Sequence, residues 1–376
     1  MKERSGVRTW IEVDNKALQN NYKVFRHLIG PECKLMAVAK SNAYGHGLVD
    51  YSRTMQELGA DWIGVDSITE ALRLRREGIC KPILVLGYTL PEMLAEALAN
   101  NVSLTISSMD SLRDLGRLRD LSNLKIHLKI DTGMHRQGFQ PEEMAEAIRG
   151  IKKLKNIEVE GIFTHFATAK NPAFPAETKA QIQKFEEAVE IAHKYGFKPI
   201  CHAAASSGAI IFPESHFDMV RIGIGLMGLW PSKEVEAYAQ NKIHLMPALS
   251  WRTIVAEIKT LEKGERVSYD YTEAVNRKSK IAILPVGYWH GFRRNLSSIG
   301  SVIIDGQMAK VLGRVTMDMM IVDITDIKKA KVGDIVTLIG KDGQAEISAA
   351  EMAYLSDTSW YETVTCINPL VKRIYR

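Results

Sequence analysis

The run Ala37-Val38-Ala39-Lys40-Ser41-Asn42-Ala43-Tyr44-Gly45-His46-Gly47 places a lysine at the end of an apolar segment and the start of a polar, glycine-containing turn. An amine that emerges from an apolar strand is poorly solvated, and poor solvation disfavours its charged form, which turns a lysine into a nucleophile or a base. Taken alone, Lys40 is better read as a surface lysine whose stem lies along apolar neighbours with its head in water. Other groups with chemical potential follow. They are Lys129 and Arg136 in Lys129-Ile130-Asp131-Thr132-Gly133-Met134-His135-Arg136, His165 in Gly161-Ile162-Phe163-Thr164-His165-Phe166-Ala167, Arg221 before Gly223-Ile224-Gly225, and Tyr269 after Val267-Ser268. Each also has a plain structural reading: a solvated strand lysine, a strand-end ion pair, a turn, a packed aromatic.

Such groups act only if the fold brings them together. Short apolar runs rich in β-branched residues alternate with amphipathic stretches: Lys34–Ala39, Trp62–Val65, Ile83–Leu86, Val102–Ile106, Lys125–Ile130, Val159–Thr164, Pro199–Ala203 and Met219–Ile222. Between them, Ser67–Glu77 and Thr178–Tyr195 carry apolar residues at helical spacing, and Leu90-Pro91-Glu92 reads as a helix start with proline in the first turn. Eight such alternations predict a (β/α)8 barrel, with an open α/β sheet as the rival. A barrel puts Lys40 at the C-terminal mouth of its first strand, where such folds carry their sites.

The pattern changes near residue 240. Leu249–Ile258, Lys280–Pro285, Ser301–Ile304, Ala309–Leu312, Met320–Ile324 and Asp334–Ile339 are short alternating runs with turns such as Asp305-Gly306 and Lys341-Asp342-Gly343 between them. We therefore expect two domains, a barrel over 1–240 and a mostly β domain over 241–376 interrupted by a helix at Ser348–Tyr354. Residues 1–13 are expected to pair with the β domain. The 376-residue length accords with two domains. A hydrophobic content of 46% and a charged content of 25% are those of a globular protein with a large core. The net charge of +5 is small and scattered, so no nucleic-acid partner is expected. Cys33, Cys80, Cys201 and Cys366 are widely spaced and form no metal or disulfide pattern. The start, Met1 to Gly6, lacks an apolar signal core, and no apolar stretch approaches the roughly 18 residues of a membrane span. The expectation is a cytoplasmic protein without metal or membrane contact.

The Lys40 run resembles the pyridoxal-phosphate (PLP) lysine signature of the alanine racemases, and the resemblance extends over nearly the whole chain. The Lys129–Arg136 and Gly161–Ala167 runs resemble that family's arginine and histidine motifs. His202-Ala203-Ala204-Ala205-Ser206 and Arg221–Gly225 resemble its cofactor-contact segments. Val267-Ser268-Tyr269, Pro285-Val286-Gly287-Tyr288, Leu312-Gly313-Arg314-Val315-Thr316-Met317-Asp318 and Tyr361-Glu362 match in order and spacing.

The resemblance implies a PLP-dependent isomerase that interconverts L- and D-alanine and supplies D-alanine for peptidoglycan. It implies a homodimer with shared sites. Lys40 would hold PLP covalently and act as one acid/base group. Racemisation removes a proton from one face of Cα and returns it to the other, so an opposed second group is expected. Tyr269 of the partner subunit would be that group, with His165 and Arg221 favouring its phenolate. Arg221 would face the pyridine nitrogen and keep it unprotonated, since a guanidinium remains charged. Arg136 would contact the cofactor's phenolic oxygen and the substrate. Tyr44, Ser206, Gly223, Ile224 and Tyr361 would hold the phosphate, and Met317 and Asp318 would meet the substrate carboxylate. Lys129 is the position at which many members carry a carbamylated lysine.

Several positions depart from the family pattern. Ala205, Met227 and Thr316 replace a frequent asparagine, tyrosine and cysteine. His290 stands at a usual aspartate position. Lys170 stands where an acidic residue often faces an arginine at the position of Arg314. These changes bear on the substrate corridor and leave the chemical pair intact. Three other functions compete. A racemase for another small amino acid, such as serine, would use the same machinery. A decarboxylase of the same architecture would carry an acidic group in place of Arg221 and a cysteine-containing loop in place of Met317-Asp318. A non-catalytic PLP-binding barrel would lack the β domain and Tyr269.

Overall fold

The structure is a computed structural model that describes residues 6–117, 123–154 and 156–376. The leading residues 1–5, read above as part of a start without a signal core, lie outside the described residues. The chain forms two compact units. One comprises Lys16–Ala43 and Leu48–Pro247; the other comprises the residues up to Asn15, Tyr44–Gly47 and Ala248–Arg376. The division falls at Pro247/Ala248, beyond the expected 240/241. Asn21 explains the difference, because its amide donates to the Met246 carbonyl at 2.8 Å and accepts from the Met246 N–H at 2.8 Å, which ties this stretch to the barrel.

Strand β1 (Trp10–Val13) precedes the barrel strands β2 (Lys34–Val38), β3 (Trp62–Val65), β4 (Ile83–Val85), β5 (Ser103–Ile106), β6 (Leu124–Lys129), β7 (Ile157–Phe163), β8 (Ile200–His202) and β9 (Met219–Ile222). β2 to β9 form one parallel sheet in the order β8-β7-β6-β5-β4-β3-β2-β9. A bridge between Ala205 and Arg221 joins its two ends and closes the barrel. Helices between the strands start on polar caps. Ser67 caps Ile68–Arg76 in a reciprocal box with Glu70, and Ser108 caps Met109–Leu115 with Ser111.

The barrel lumen is unusually polar for a fold whose interior is commonly Val, Ile and Leu. Ser103, Thr105, His127, Lys129, Thr164, His202 and Arg221 are all buried. One irregularity permits this. Ile126 pairs with Val159 but His127 pairs with Gly161, so Glu160 is an extra, unpaired residue in β7. Such a bulge re-aims side chains.

The second unit is built on β10 (Leu249–Ile254), β11 (Glu257–Leu261), β12 (Arg266–Val267), β13 (Glu273–Ala274), β14 (Ser279–Leu284), β15 (Ser301–Ile304), β16 (Gln307–Leu312), β17 (Met320–Asp323), β18 (Ile335–Asp342), β19 (Ala345–Ile347) and β20 (Lys372–Tyr375). β1 lies between β10, antiparallel, and β20, parallel. The expected single strand Leu249–Ile258 is instead two, because β10 pairs with β18 while β11 turns away to pair with β14. Ser348 caps the helix Ala349–Leu355, and a further helix, Trp360–Thr365, carries Tyr361.

Candidate active site

The barrel unit gathers five of the expected residues electrostatically. Lys40 directly follows β2 and Ala39, and the chain then makes one left-handed turn, with φ of 56°, 56°, 51° and 51° at Ser41, Asn42, Ala43 and Tyr44. Left-handed conformation costs L-residues about 1–2 kcal/mol each. Local hydrogen bonds offset it: Ala43 N–H to Ala39 O at 2.8 Å, Ser41 N–H to Glu70 Oε1 at 2.8 Å, and Leu48 N–H to Asn42 Oδ1 at 3.0 Å. Strain held in this way is typical of functional turns.

Arg221, on β9, is buried and donates to the carbonyls of Thr164 (2.7 Å), Ala203 (2.8 Å) and His202 (3.0 Å). It also faces His202 Nδ1 at 3.0 Å and His165 Nδ1 at 3.3 Å. Its face lies over the Phe163 ring, with Cζ 5.2 Å from the centroid. No carboxylate pairs with it among the described residues. Burial pulls its pKa down to about 9. Burial, with Arg221, Arg136, Lys129 and Lys40 adding to it, holds His165 well below the usual histidine range. His165 is therefore neutral. Because a guanidinium can only donate, Nδ1 of His165 accepts and its proton sits on Nε2.

Asp131 shapes the arginine loop. Its Oδ1 accepts the backbone N–H groups of Gly133 (3.0 Å), Met134 (2.9 Å) and His135 (3.0 Å), and Oδ2 accepts that of Arg136 (3.1 Å). Lys129 donates from Nζ to Gln137 Oε1 at 3.0 Å. Burial, then the charges of Arg136 and Arg221, lower its pKa to about 8. At the late loops, Ser206 opens the helix Ser206–Ile211, and its Oγ accepts the N–H groups of Gly223 and Gly225, each at 3.3 Å. Gly225 allows this approach: a Cβ there would meet Phe25 Cζ at 2.4 Å.

In the second unit, Tyr44 and Tyr361 meet edge to face with ring centroids 6.3 Å apart. Burial raises Tyr44 to about 12 and pushes Tyr361 up as well, so both remain phenols that can donate to a phosphate. Tyr269 is 69% exposed and follows Ser268 at φ 65°. Its turn is stapled to the 312–318 loop. Ser268 Oγ donates to the Arg314 carbonyl at 2.7 Å, and Asp270 pairs with Arg314 at 2.8 Å. Arg314 thus has an acidic partner from its own unit. His290 is buried, and its Nδ1 accepts the Gly287 N–H at 3.2 Å, so a neutral imidazole accepts a backbone amide at this usual aspartate position. Burial lowers its pKa, with Asp318 opposing. Thr316 Oγ1 donates to the Met319 carbonyl and holds the Met317-Asp318 turn. The carbonyl of Lys170 accepts from Ser232 Oγ at 2.9 Å.

Sequence reasoning left three residues without a role. His127 Nδ1 lies 2.9 Å from His202 Nε2, and His127 Nε2 lies 3.3 Å from Glu160 Oε2. The signal was the alternation Lys125, His127, Lys129 on one face of an apolar strand.

A buried guanidinium without a carboxylate, a lysine after the first barrel strand and a hydroxyl-and-amide cradle at the late loops fit PLP: an aldehyde for the amine, a ring nitrogen for Arg221, a phosphate for Ser206. Together with the barrel and the separate β unit they define a PLP enzyme of the barrel type. Models of the alanine racemase N-terminal and C-terminal domains match residues 13–231 and 248–375. An alanine racemase of Methanococcus maripaludis is 42% identical, over 97% of this chain and 98% of its own. A crystal structure of alanine racemase from Bacillus anthracis with bound L-Ala-P is 36% identical with a TM-score of 0.93, covering 98% of this chain and 95% of that one. A histidine racemase from Leuconostoc mesenteroides is 30% identical with a TM-score of 0.88, covering 99% of both chains. The chain belongs to the alanine racemase family of PLP-dependent isomerases.

Proposed function

We propose that Lys40 and Tyr269 are the opposed acid/base pair by which this isomerase interconverts L- and D-alanine, with Tyr269 supplied by the partner subunit of a homodimer. PLP supplies the electron withdrawal that makes the Cα proton removable. Lys40 holds the cofactor covalently and moves the proton on one face, and Tyr269 moves it on the other. The observation that carries this reading is the Arg221–His165 contact. It leaves Nε2–H of His165 as a donor in a region dense with positive charge, which favours a phenolate. The same positive charge suits the cofactor's phosphate and the substrate carboxylate.

Arg136, held by its loop, contacts the cofactor's phenolic oxygen and the substrate. Ser206, Gly223, Ile224, Tyr44 and Tyr361 hold the phosphate, with Gly223 N–H shared with Ser206. Met317 and Asp318 meet the substrate carboxylate through backbone N–H groups, since the Asp318 side chain would repel it. Lys129 is carbamylated: its lowered pKa leaves a neutral amine available to CO2. The exposed Tyr269, Tyr271, Met317 and Met319 form the kind of apolar surface that a partner subunit covers. We place the enzyme in the cytoplasm, supplying D-alanine for peptidoglycan. None of the four cysteines is paired, and no helix among the described residues is long and apolar enough to cross a membrane.

Complementation tests the shared site. Lys40→Ala and Tyr269→Ala homodimers are inactive, while their heterodimer has one site lacking both groups and one lacking neither. Random mixing gives half heterodimers, so activity returns to about a quarter of wild type per subunit. A purified heterodimer that stays inactive places both groups in one subunit and refutes the proposal.

A further inference from the structure

We propose that His127 and Glu160 are positioning residues for the reaction: they fix the tautomer of His202 that accepts from Arg221, and so hold the guanidinium in one orientation toward the cofactor's ring nitrogen. The proposal rests on the placement of Arg221 at that nitrogen.

The contacts form a chain with one direction. Arg221 Nη1 can only donate, so His202 Nδ1, at 3.0 Å, accepts. His202 then carries its proton on Nε2 and donates to His127 Nδ1 at 2.9 Å. His127 in turn carries its proton on Nε2, facing Glu160 Oε2 at 3.3 Å. That carboxylate also accepts from Ser103 Oγ at 2.6 Å and pairs with Lys125 at 3.3 Å. A buried cation thus reaches a carboxylate through two neutral imidazoles. Both rings are fully buried, and burial holds both below the usual histidine range. Were His202 protonated on Nδ1 instead, two donors would face each other at Arg221 and the guanidinium would be displaced.

The barrel is built around this chain. A Cβ on Gly161 would lie 2.1 Å from His127 Nδ1, so only glycine leaves room for the ring. Glu160 is the bulge residue of β7, and a regular strand would lack the extra position that it fills. Trp62 packs edge-on against His127 and Phe163 stacks on His202, with centroids 5.2 and 4.8 Å apart, which leaves neither ring free to turn. Glu160 contacts neither Arg221 nor His165, so any effect on the reaction passes through the two histidines.

Three measurements on the holoenzyme decide the matter. In wild type labelled with 15N-histidine, His202 should show an unprotonated Nδ1 and a protonated Nε2; a protonated Nδ1 overturns the proposal. In His127→Phe the acceptor for His202 is gone. Ring-15N-labelled PLP should then report partial protonation of its nitrogen, and the fraction of turnovers ending in transamination should rise about tenfold, as one pKa unit at that atom implies. Loss should fall on kcat more than on KM, because Arg221 is aimed at the transition state. Glu160→Gln, which keeps an acceptor oxygen but removes the charge, should move the same 15N signals in the same direction by less, and it decides the question should His127→Phe not fold. Arg221→Gln serves as the control. If it moves the ring-nitrogen signal and the relay variants do not, Arg221 is correctly placed and the relay is refuted. If Arg221→Gln leaves that signal unchanged, the placement of Arg221 fails and the relay falls with it.

Discussion

Asp131→Asn should separate the stability of the arginine loop from its chemistry. The buried carboxylate accepts four backbone N–H groups, three on Oδ1 and one on Oδ2, and these bonds turn the chain after β6 at Arg136, whose charge acts on His165. Asparagine keeps one oxygen and can still accept from Gly133, Met134 and His135, but its NH2 group then faces the Arg136 N–H. A hydrogen bond to a charged group contributes about 1.5–3 kcal/mol and a neutral one about 0.5–1.5. Four bonds that share one charge do not add fully, so we expect a loss of about 3 kcal/mol. With a urea slope of about 3 kcal/mol per molar, the midpoint of the transition should fall by about 1 M. Burial works against the Asp131 charge, but the four backbone donors outweigh it and set the pKa below its ordinary value of 3.8. A carboxylate with a lowered folded pKa stabilises above its unfolded pKa, and that contribution is lost as pH falls through the folded value. The gap between wild type and Asp131→Asn should therefore be full at neutral pH and close below a pH of about 4. Urea titrations at pH 7 and in acid give both quantities. Equal midpoints at pH 7, or a gap that persists unchanged in acid, would refute the assignment of the stabilisation to this carboxylate.

Tyr269→Phe should make solvent deuterium exchange at Cα one-sided, with one enantiomer exchanging far more slowly than the other, since the remaining base works on a single face; chiral chromatography with mass detection reads it, and symmetric residual exchange points to a single base. Lys40→Ala should lose covalently bound cofactor, measured as intact mass after borohydride reduction, whereas covalent PLP in that variant would assign the linkage to another lysine. At fixed CO2 pressure, carbamylation of Lys129 should rise with pH through about 8, where its amine becomes neutral. A 13C signal from labelled CO2 that is absent in Lys129→Ala checks this, and no signal at any pH up to 9 would exclude the carbamate.

Much of the barrel and the main chemical groups could be read from the amino-acid order. Apolar runs that alternate with capped amphipathic stretches report a parallel sheet covered by helices, because such strands are buried on both faces. The long motif around Lys40 and the ordered arginine, histidine and tyrosine motifs named the residues that could do chemistry. What the order did not determine was how these residues engage one another. The left-handed turn from Ser41 to Tyr44 contains no glycine until Gly45, so nothing local announces it; its strain is held by Glu70 and by the Leu48 amide. Nor does the order of residues announce that Arg314 pairs with Asp270, a turn residue with φ of 59°. Two-residue alternation puts Glu158 and Glu160 on one face of β7, but the bulge breaks that alternation at Glu160 and brings its carboxylate to His127. A bulge is set by how two strands settle against each other, in this case around an imidazole that needs the space above Gly161. That fit exists only once β6 and β7 are side by side, so the polar lumen that holds Arg221 was decided by packing rather than by any local run of residues.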